Sequence, residues 1–278
     1  MAFDLTGKRE PWIESNVPFG LHFYDAAREC VYALHTGKDP RTGILDVVDV
    51  RTRKVVATIS LPEACAGMCI TGDTGYLTAA DKPCVYELDL ASRKVVARMP
   101  VPRPGGKCVA AAAKLYVTTG KEWGDGQAPG DRGAAVEVLD LRTRRHERSI
   151  PVPGEDLQAI AWDSARYVYA AANYASKLVR IDTETDRLDP SLQATLTGRP
   201  TDMVIDRVRD LVILACEGAD ETMCIVSLTE KREVACYHGG YGLGMAAKYG
   251  QDGRLEQLWV PNVNACHITV LKGDDLVP

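Results

Sequence analysis

A short phrase centred on an acidic residue recurs along this 278-residue chain. The acidic position falls at Asp49, Asp89, Asp140 and Asp182, with Ser227 in a weaker fifth copy, so the copies lie 40 to 51 residues apart. Alternating apolar residues precede a polar turn, and a second β-branched run follows. The alternation predicts a half-buried strand, and Asp and Thr side chains can hydrogen-bond to the backbone of a turn. Each copy therefore predicts a β-hairpin, whose strands we name C and D.

Two further phrases precede the hairpin in each repeat. The phrase predicted as strand A occupies 20–23, 67–70, 106–109, 157–160, 202–205 and 244–247. The phrase predicted as strand B occupies 32–35, 76–79, 116–119, 169–172, 213–216 and 259–262. Six sets of four strands at this spacing predict an all-β, six-bladed β-propeller of four-stranded blades. We expect one domain over residues 1–278, with blades at about 16–63, 64–103, 104–154, 155–198, 199–240, and 241–278 together with 1–15.

The strand B phrases resemble a known repeat. The copies Tyr32-Ala33-Leu34-His35, Tyr76-Leu77-Thr78-Ala79 and Tyr116-Val117-Thr118-Thr119 resemble the Tyr-Val-Thr-Asn strand of the YVTN family of β-propellers. The resemblance covers nearly the whole chain, although only Asn262 keeps the family's asparagine. It implies the propeller fold. Because proteins of this family serve as enzymes, partner subunits and scaffolds, it implies no particular activity.

Closure of the ring is predicted to involve the N-terminal segment. The last repeat contains strands A, B and C but no strand D. The segment 3–13 resembles the C–D hairpin phrase, so we expect it to supply the outer strand of the last blade. Closure of this kind hides the strand edges that an open array would expose. A seven-bladed ring is the alternative.

Composition excludes several classes of function. The net charge is −5, and no run of Lys or Arg supplies the basic face that phosphate binding requires, so no nucleic-acid partner is expected. No apolar stretch approaches the length of a membrane-spanning helix, so no membrane partner is expected. The nine cysteines lie mostly in apolar runs and no secretory signal is recognised, which predicts reduced thiols and a cytoplasmic location.

Four of the five histidines are predicted to gather on one face of the ring. In an antiparallel blade the D–A and B–C connections lie at the same end of the strands, and we call this end the top face. His146 falls in a C–D turn on the opposite, bottom face. The catalytic candidates at the top seam between the last and first blades are His22, His35, His238, Tyr241 and His267. Histidine suits proton transfer near neutral pH, which makes this seam the predicted active site.

Other residues are predicted to line the channel beside that seam. The second position of strand A holds Leu21, Met68, Lys107, Gln158, Met203 and Met245. If these face the channel, they form a partly apolar pocket in which Lys107 meets an anion or carbonyl oxygen; the alternative is packing between blades. Trp123, in the long Gly-rich loop 120–134, is predicted as a lid, with a plain surface loop as the alternative. Glu217, Asn262 and Asn264 complete the predicted substrate-binding set.

Two functions remain open from the sequence. The first is an enzyme that performs cofactor-independent acid–base chemistry on a small, partly apolar molecule, as a lyase, isomerase, cyclase or hydrolase. The second is a non-catalytic scaffold that binds a protein or ligand across the top face. A divalent metal held by the four histidines with Glu217 or Asp81 is conceivable, but no metal-ligand spacing such as Cys-X-X-Cys occurs. No cofactor is therefore predicted.

Overall fold

The computed structural model describes residues 2–3, 9–10, 21–37, 39–119, 133–154, 156–217, 222–238, 244–262 and 267–276. These residues form 25 β-strands and one short 3-10 helix. Within these ranges, none of the helical structure has the length and apolarity needed to cross a bilayer. Of these strands, 23 form the six antiparallel sheets of a six-bladed β-propeller, as the repeats predict, and the other two form a separate two-stranded sheet.

Each of the first five blades is a four-stranded meander in chain order. Blade 1 contains β3 (Leu21–Asp25), β4 (Cys30–Thr36), β5 (Gly43–Asp49) and β6 (Lys54–Leu61). Blade 2 contains β7 (Cys65–Thr71), β8 (Thr74–Ala79), β9 (Cys84–Asp89) and β10 (Lys94–Pro100). Blade 3 contains β11 (Gly105–Ala111), β12 (Lys114–Thr119), β13 (Ala135–Asp140) and β14 (Arg145–Pro151). Blade 4 contains β15 (Leu157–Trp162), β16 (Tyr167–Ala172), β17 (Lys177–Asp182) and β18 (Arg187–Thr195). Blade 5 contains β19 (Arg199–Asp206), β20 (Leu211–Glu217), β21 (Thr222–Ser227) and β22 (Arg232–His238).

The last blade differs from the others in its strand count. Blade 6 contains β23 (Ala246–Tyr249), β24 (Leu255–Asn262) and β25 (His267–Lys272), followed by the 3-10 helix Gly273–Leu276. The N-terminal strands β1 (Ala2–Phe3) and β2 (Arg9–Glu10) pair with each other in a separate two-stranded sheet. Most of the segment 3–13, which is predicted to close the ring, lies outside the described residues, so its pairing with blade 6 stays a prediction.

The C–D turns have the chemistry that the sequence phrase indicates. The side chain of Asp49 accepts a hydrogen bond from the backbone N–H of Thr52, at 2.6 Å, and its carbonyl accepts one from Arg53, at 2.8 Å. Asp140 does the same with Thr143 and Arg144. The residue that closes the turn takes a left-handed conformation in five blades: Arg53, Arg93, Arg144, Asp186 and Lys231. The side-chain bonds hold the chain in a conformation that non-glycine residues otherwise avoid.

The core lies between blades rather than inside one. Successive blades share buried apolar clusters, such as the one that joins Leu45 and Val47 of blade 1 to Leu77 and Tyr86 of blade 2. The innermost strands β3, β7, β11, β15 and β19 contact one another in sequence, and a further cluster packs blade 5 against blade 6. Because blades 2 to 5 each bury both faces against neighbours, the top ends of their innermost strands are held rigidly around the axis.

Candidate binding site at the top of the central channel

A β-bulge near the start of strand A decides which side chains enter the channel. The bulge lies between Cys65 and Gly67 in β7, and equivalent bulges interrupt β11, β15 and β19. Beyond the bulge, three residues lie opposite the second position of strand B: Met68, Cys108 and Met203. Lys107 and Asp202 immediately precede two of these positions. Since neighbouring side chains on a strand point to opposite faces, Lys107 and Asp202 occupy equivalent positions that face away from the inter-blade core.

This register corrects the predicted channel ring. Met68, with 3% of its surface exposed, packs between blades 1 and 2, and Met203, with 5% exposed, packs between blades 4 and 5. Met245 packs half-buried against the cluster shared by blades 5 and 6. The assignment of Met68 and Met203 to an open apolar channel wall is therefore wrong. The strand A phrases were aligned one residue out of register, since Cys108 and not Lys107 matches Met68 and Met203, and a slip of one residue moves a side chain to the other face.

An ion pair joins two blades across the channel. Lys107 Nζ of blade 3 lies 2.6 Å from Asp202 Oδ1 of blade 5 and donates to the carbonyl of Thr201 at 3.0 Å. The other carboxylate oxygen of Asp202 accepts a hydrogen bond from the Met245 backbone N–H of blade 6 at 2.7 Å. About a quarter of the Lys107 side chain and a fifth of the Asp202 side chain are exposed. Lys107, the predicted cation of the pocket, is thus paired with the carboxylate of Asp202.

Polar residues extend this region around the top face. Gln158 is half-buried and donates to Asp156 Oδ2 at 2.6 Å in blade 4. Glu217 lies at the end of β20, 3.8 Å from the guanidinium of Arg199. That guanidinium also lies over the ring of Tyr174, which is largely exposed. Gln158 and Glu217 therefore lie near top-face strand ends with partners of their own, and their role in substrate binding stays a prediction.

A histidine and a carboxylate are paired at the top of blade 1. His35 Nε2 lies 3.0 Å from Asp46 Oδ2, and its Nδ1 lies 3.1 Å from the Thr36 carbonyl oxygen. The hydroxyl of Thr58 donates to the second oxygen of Asp46 at 2.6 Å. Desolvation, followed by smaller contributions from nearby positive charges that include His35, lowers the pKa of His22. Both ring nitrogens of His35 face acceptor oxygens, so that ring is placed to donate a proton, whereas a neutral imidazole at His22 can accept one.

The remaining predicted site residues are placed in part. His238 ends β22 opposite Thr222, and His267 begins β25 opposite Asn262. The backbone therefore puts the predicted site residues His238, His267 and Asn262 at top-face strand ends. Tyr241, Asn264 and Trp123 lie outside the described residues. The predicted convergence of His238 and His267 with His22 and His35 stays a prediction. His146 bonds to Glu137 Oε2 at 2.7 Å in blade 3, away from this seam.

Two residues of this site were missed in the sequence. Asp202 directly precedes the apolar run Met203-Val204-Ile205 of an innermost strand, and a charge beside such a run is a usable signal because buried charges are rare unless paired. Asp46 similarly interrupts the apolar strand C of blade 1. Among the side chains that the structure describes, His22, His35, Glu217 and Asp81 do not form a group with three donor atoms close enough to share a metal ion, whereas a different group in blade 5 does.

The protein is a six-bladed β-propeller with a charged channel mouth. Comparison with known proteins supports this fold. The structure resembles hydrazine synthase of Kuenenia stuttgartiensis with a TM-score of 0.58 and 13% identity, over 94% of this chain and 97% of that one. It resembles a chain of a mitotic checkpoint complex with a TM-score of 0.69 and 11% identity, over 94% and 89%. Identities this low support the fold alone. No protein family model matches the chain, so the YVTN resemblance depends on the quoted residues. No curated protein matches it by sequence.

Proposed function

We propose that the chain binds a small molecule at the top of the channel and performs cofactor-independent acid–base chemistry on it at His22 and His35. The observation that carries this proposal is the His35–Asp46 contact, with Nε2 3.0 Å from Oδ2 and Thr58 bound to the other carboxylate oxygen. Asp46 and the Thr36 carbonyl fix the ring plane of His35. The lowered pKa of His22 favours its neutral form, so His22 is the proposed base.

Lys107 and Asp202 have the proposed role of recognition. Their ion pair lies in the channel, and its charges would separate when a polar ligand offers each of them a partner. The exchange suits a molecule that carries a carboxylate or an enolate-like oxygen beside a hydrogen-bond donor. The proposed reaction class is that of a lyase, isomerase, cyclase or hydrolase.

The test uses isotope-labelled histidine. The protein, labelled at histidine Cε1, is titrated with a panel of small carboxylic acids, lactones and phenols, while mass spectrometry follows each compound. We expect one or more compounds to shift the His22 and His35 resonances and to be converted, with conversion lost in His35→Ala and reduced in Asp46→Asn. His146→Ala is the matched control, because His146 also bonds to a carboxylate. Full conversion by the His35→Ala variant would refute the proposal.

A non-catalytic scaffold is the second candidate. It is favoured by the pairing of Lys107 with Asp202, which already satisfies both charges in the channel. The exposed Tyr174 beside Arg199 offers an aromatic contact on the same face. Under this alternative no panel compound moves the histidine resonances. Tyr174→Ala then weakens binding of a macromolecular partner, whereas His35→Ala leaves it unchanged.

A further inference from the structure

Three neighbouring strands of blade 5 bring three cysteines and one glutamate together. Cys224 of β21 lies directly opposite Cys236 of β22, and Cys216 lies on the adjoining strand β20. A bulge between Ile225 and Val226 separates this pair from Glu233 in register. The sulfur atoms of Cys224 and Cys236 and a carboxylate oxygen of Glu233 all lie within 4.8 Å of one another.

The sulfur separation fits two thiolates on one metal ion. Cys216 Sγ lies 3.6 Å from Cys224 Sγ. Tetrahedral zinc with Zn–S bonds of about 2.3 Å places its sulfur ligands roughly 3.8 Å apart. A disulfide would require about 2.05 Å. Both of these cysteines are fully buried, whereas Cys236 and Glu233 are half-buried at the outer side of the blade. An ion could therefore enter from that outer side.

The same strand positions bring side chains together in another blade. In blade 3 the equivalents of Cys224, Cys236 and Glu233 are Glu137, Ser149 and His146, in the same register around an equivalent bulge. There the carboxylate of Glu137 contacts His146 at 2.7 Å and Ser149 at 2.5 Å. Convergence at these three positions is thus a property of the bulged C–D hairpin. Blade 5 fills the positions with metal-binding side chains.

The link between blades 4 and 5 supports the donors from outside. Thr197 donates from its backbone N–H to one oxygen of Glu233 at 2.8 Å and from its hydroxyl to the other at 2.6 Å. The Gly198 backbone also hydrogen-bonds to Cys224. Outer partners of this kind orient metal ligands and tune their basicity. Each carboxylate oxygen keeps a second lone pair for a metal.

We propose that Cys224, Cys236 and Glu233, with Cys216 in contact with Cys224 beside them, form a binding site for a thiophilic divalent ion of the zinc class, apart from the channel. Thiolates with a carboxylate select zinc over magnesium or calcium. Because thiolates are the metal ligands, binding of the ion displaces thiol protons. The site would clamp three strands of blade 5 to one another and, through Thr197, to blade 4.

The test uses cobalt(II) and zinc(II) on the reduced full-length chain. After treatment with a phosphine reductant and removal of metals, addition of Co²⁺ should produce a sulfur-to-cobalt charge-transfer band that saturates at one ion per chain. Added Zn²⁺ should abolish the band. Native mass spectrometry should show one zinc bound. An absent band with reduced thiols, or a Cys224–Cys236 disulfide in place of metal uptake, would overturn the proposal.

Variants separate this site from other thiols. Thr197→Val should weaken Co²⁺ binding roughly 10- to 100-fold through the outer partners. Cys236→Ala and Glu233→Gln, both at half-buried positions, should weaken it further. Cys69→Ala is the matched control: Cys69 hydrogen-bonds to Cys108 but belongs to no three-donor group in the described ranges. Equal Co²⁺ spectra for Cys236→Ala and the parent chain would contradict the assignment, as would loss of the band in Cys69→Ala.

Discussion

Lys107 and Asp202 carry opposite charges in a region with limited access to water, so each depends on the other. The carboxylate of Asp202 also receives the Met245 backbone N–H, which links blade 6 to the same pair. Removing one partner leaves the other charge partly desolvated, and a hydrogen bond to a charged group contributes about 1.5–3 kcal/mol. The pair therefore matters for stability whether or not a ligand binds there.

We predict that Lys107→Met and Asp202→Asn each lower the free energy of unfolding by about 1–3 kcal/mol. The double variant should lose less than the sum, with a coupling of at least about 0.5 kcal/mol, because the second substitution removes the charge that the first left unpaired. Urea unfolding of the four proteins measures both quantities. Additive losses would show that the two side chains do not interact in solution.

At the scale of the element, the C–D turn depends on ionised aspartates. Hydrogen bonds from Thr52 lower the pKa of Asp49, those from Ser92 lower the pKa of Asp89, and those from Thr143 lower the pKa of Asp140. A lowered pKa in the folded state means that the stabilisation is complete above the unfolded value, 3.8. It is lost as the pH falls through the lower folded values.

Replacing Asp49, Asp89 and Asp140 together by Asn should therefore flatten the acid limb of stability. Asparagine can accept the same turn bonds without titrating. Urea midpoints at about pH 6 and about pH 3 should differ less in the triple variant than in the parent chain. Ser227→Asp is the matched control, because Ser227 accepts the equivalent bond from the Glu230 N–H and should gain acid sensitivity. An unchanged difference between the two midpoints would disprove the role of these carboxylates.

The same elements show why the sequence predicts the fold better than the site. The turn phrase around Asp49 and Asp140 is local, so its hydrogen bonds follow from neighbouring residues and the blades could be counted. The local phrase does not determine the register of strand A. That register decides that Lys107, and not Met203, faces the channel. Asp46 and His35 are 11 residues apart and meet only through strand pairing. Contacts of this kind depend on register, which periodicity leaves undetermined.

At the scale of the whole molecule, charged side chains near the A–B turns fasten one blade to the next. An Asp-X-X-Arg sequence occurs in three of these turns, at 25–28, 163–166 and 206–209. In blade 1, Arg28 bonds to Asp25 at 2.7 Å and reaches the Gly72 carbonyl of blade 2 at 3.1 Å. In blade 5, Arg209 bonds to Asp206 and reaches both the Leu255 carbonyl and Asp274 of blade 6. Blade 6 has three strands in the described residues, fewer than the other blades. We therefore expect the bonds of Arg209 to contribute a larger share of the contacts that hold it to its neighbour.

Arg209→Met should therefore loosen blade 6 specifically. The Arg209 side chain is 10% exposed and that of Asp206 is 1% exposed, so the substitution removes one partner of a buried pair and should cost about 3 kcal/mol. Hydrogen exchange should accelerate in β24 and β25 more than in β12 or β16, because the lost bonds hold blade 6 against blade 5.

Arg166→Met is the matched control. Arg166 comes from the same sequence motif, but its carboxylate partners Asp182 and Glu184 lie within its own blade, and it is about half exposed. That variant should cost at most about 1 kcal/mol and leave exchange in blade 6 unchanged. If the two variants accelerate exchange equally across all blades, the attachment of blade 6 does not depend on Arg209.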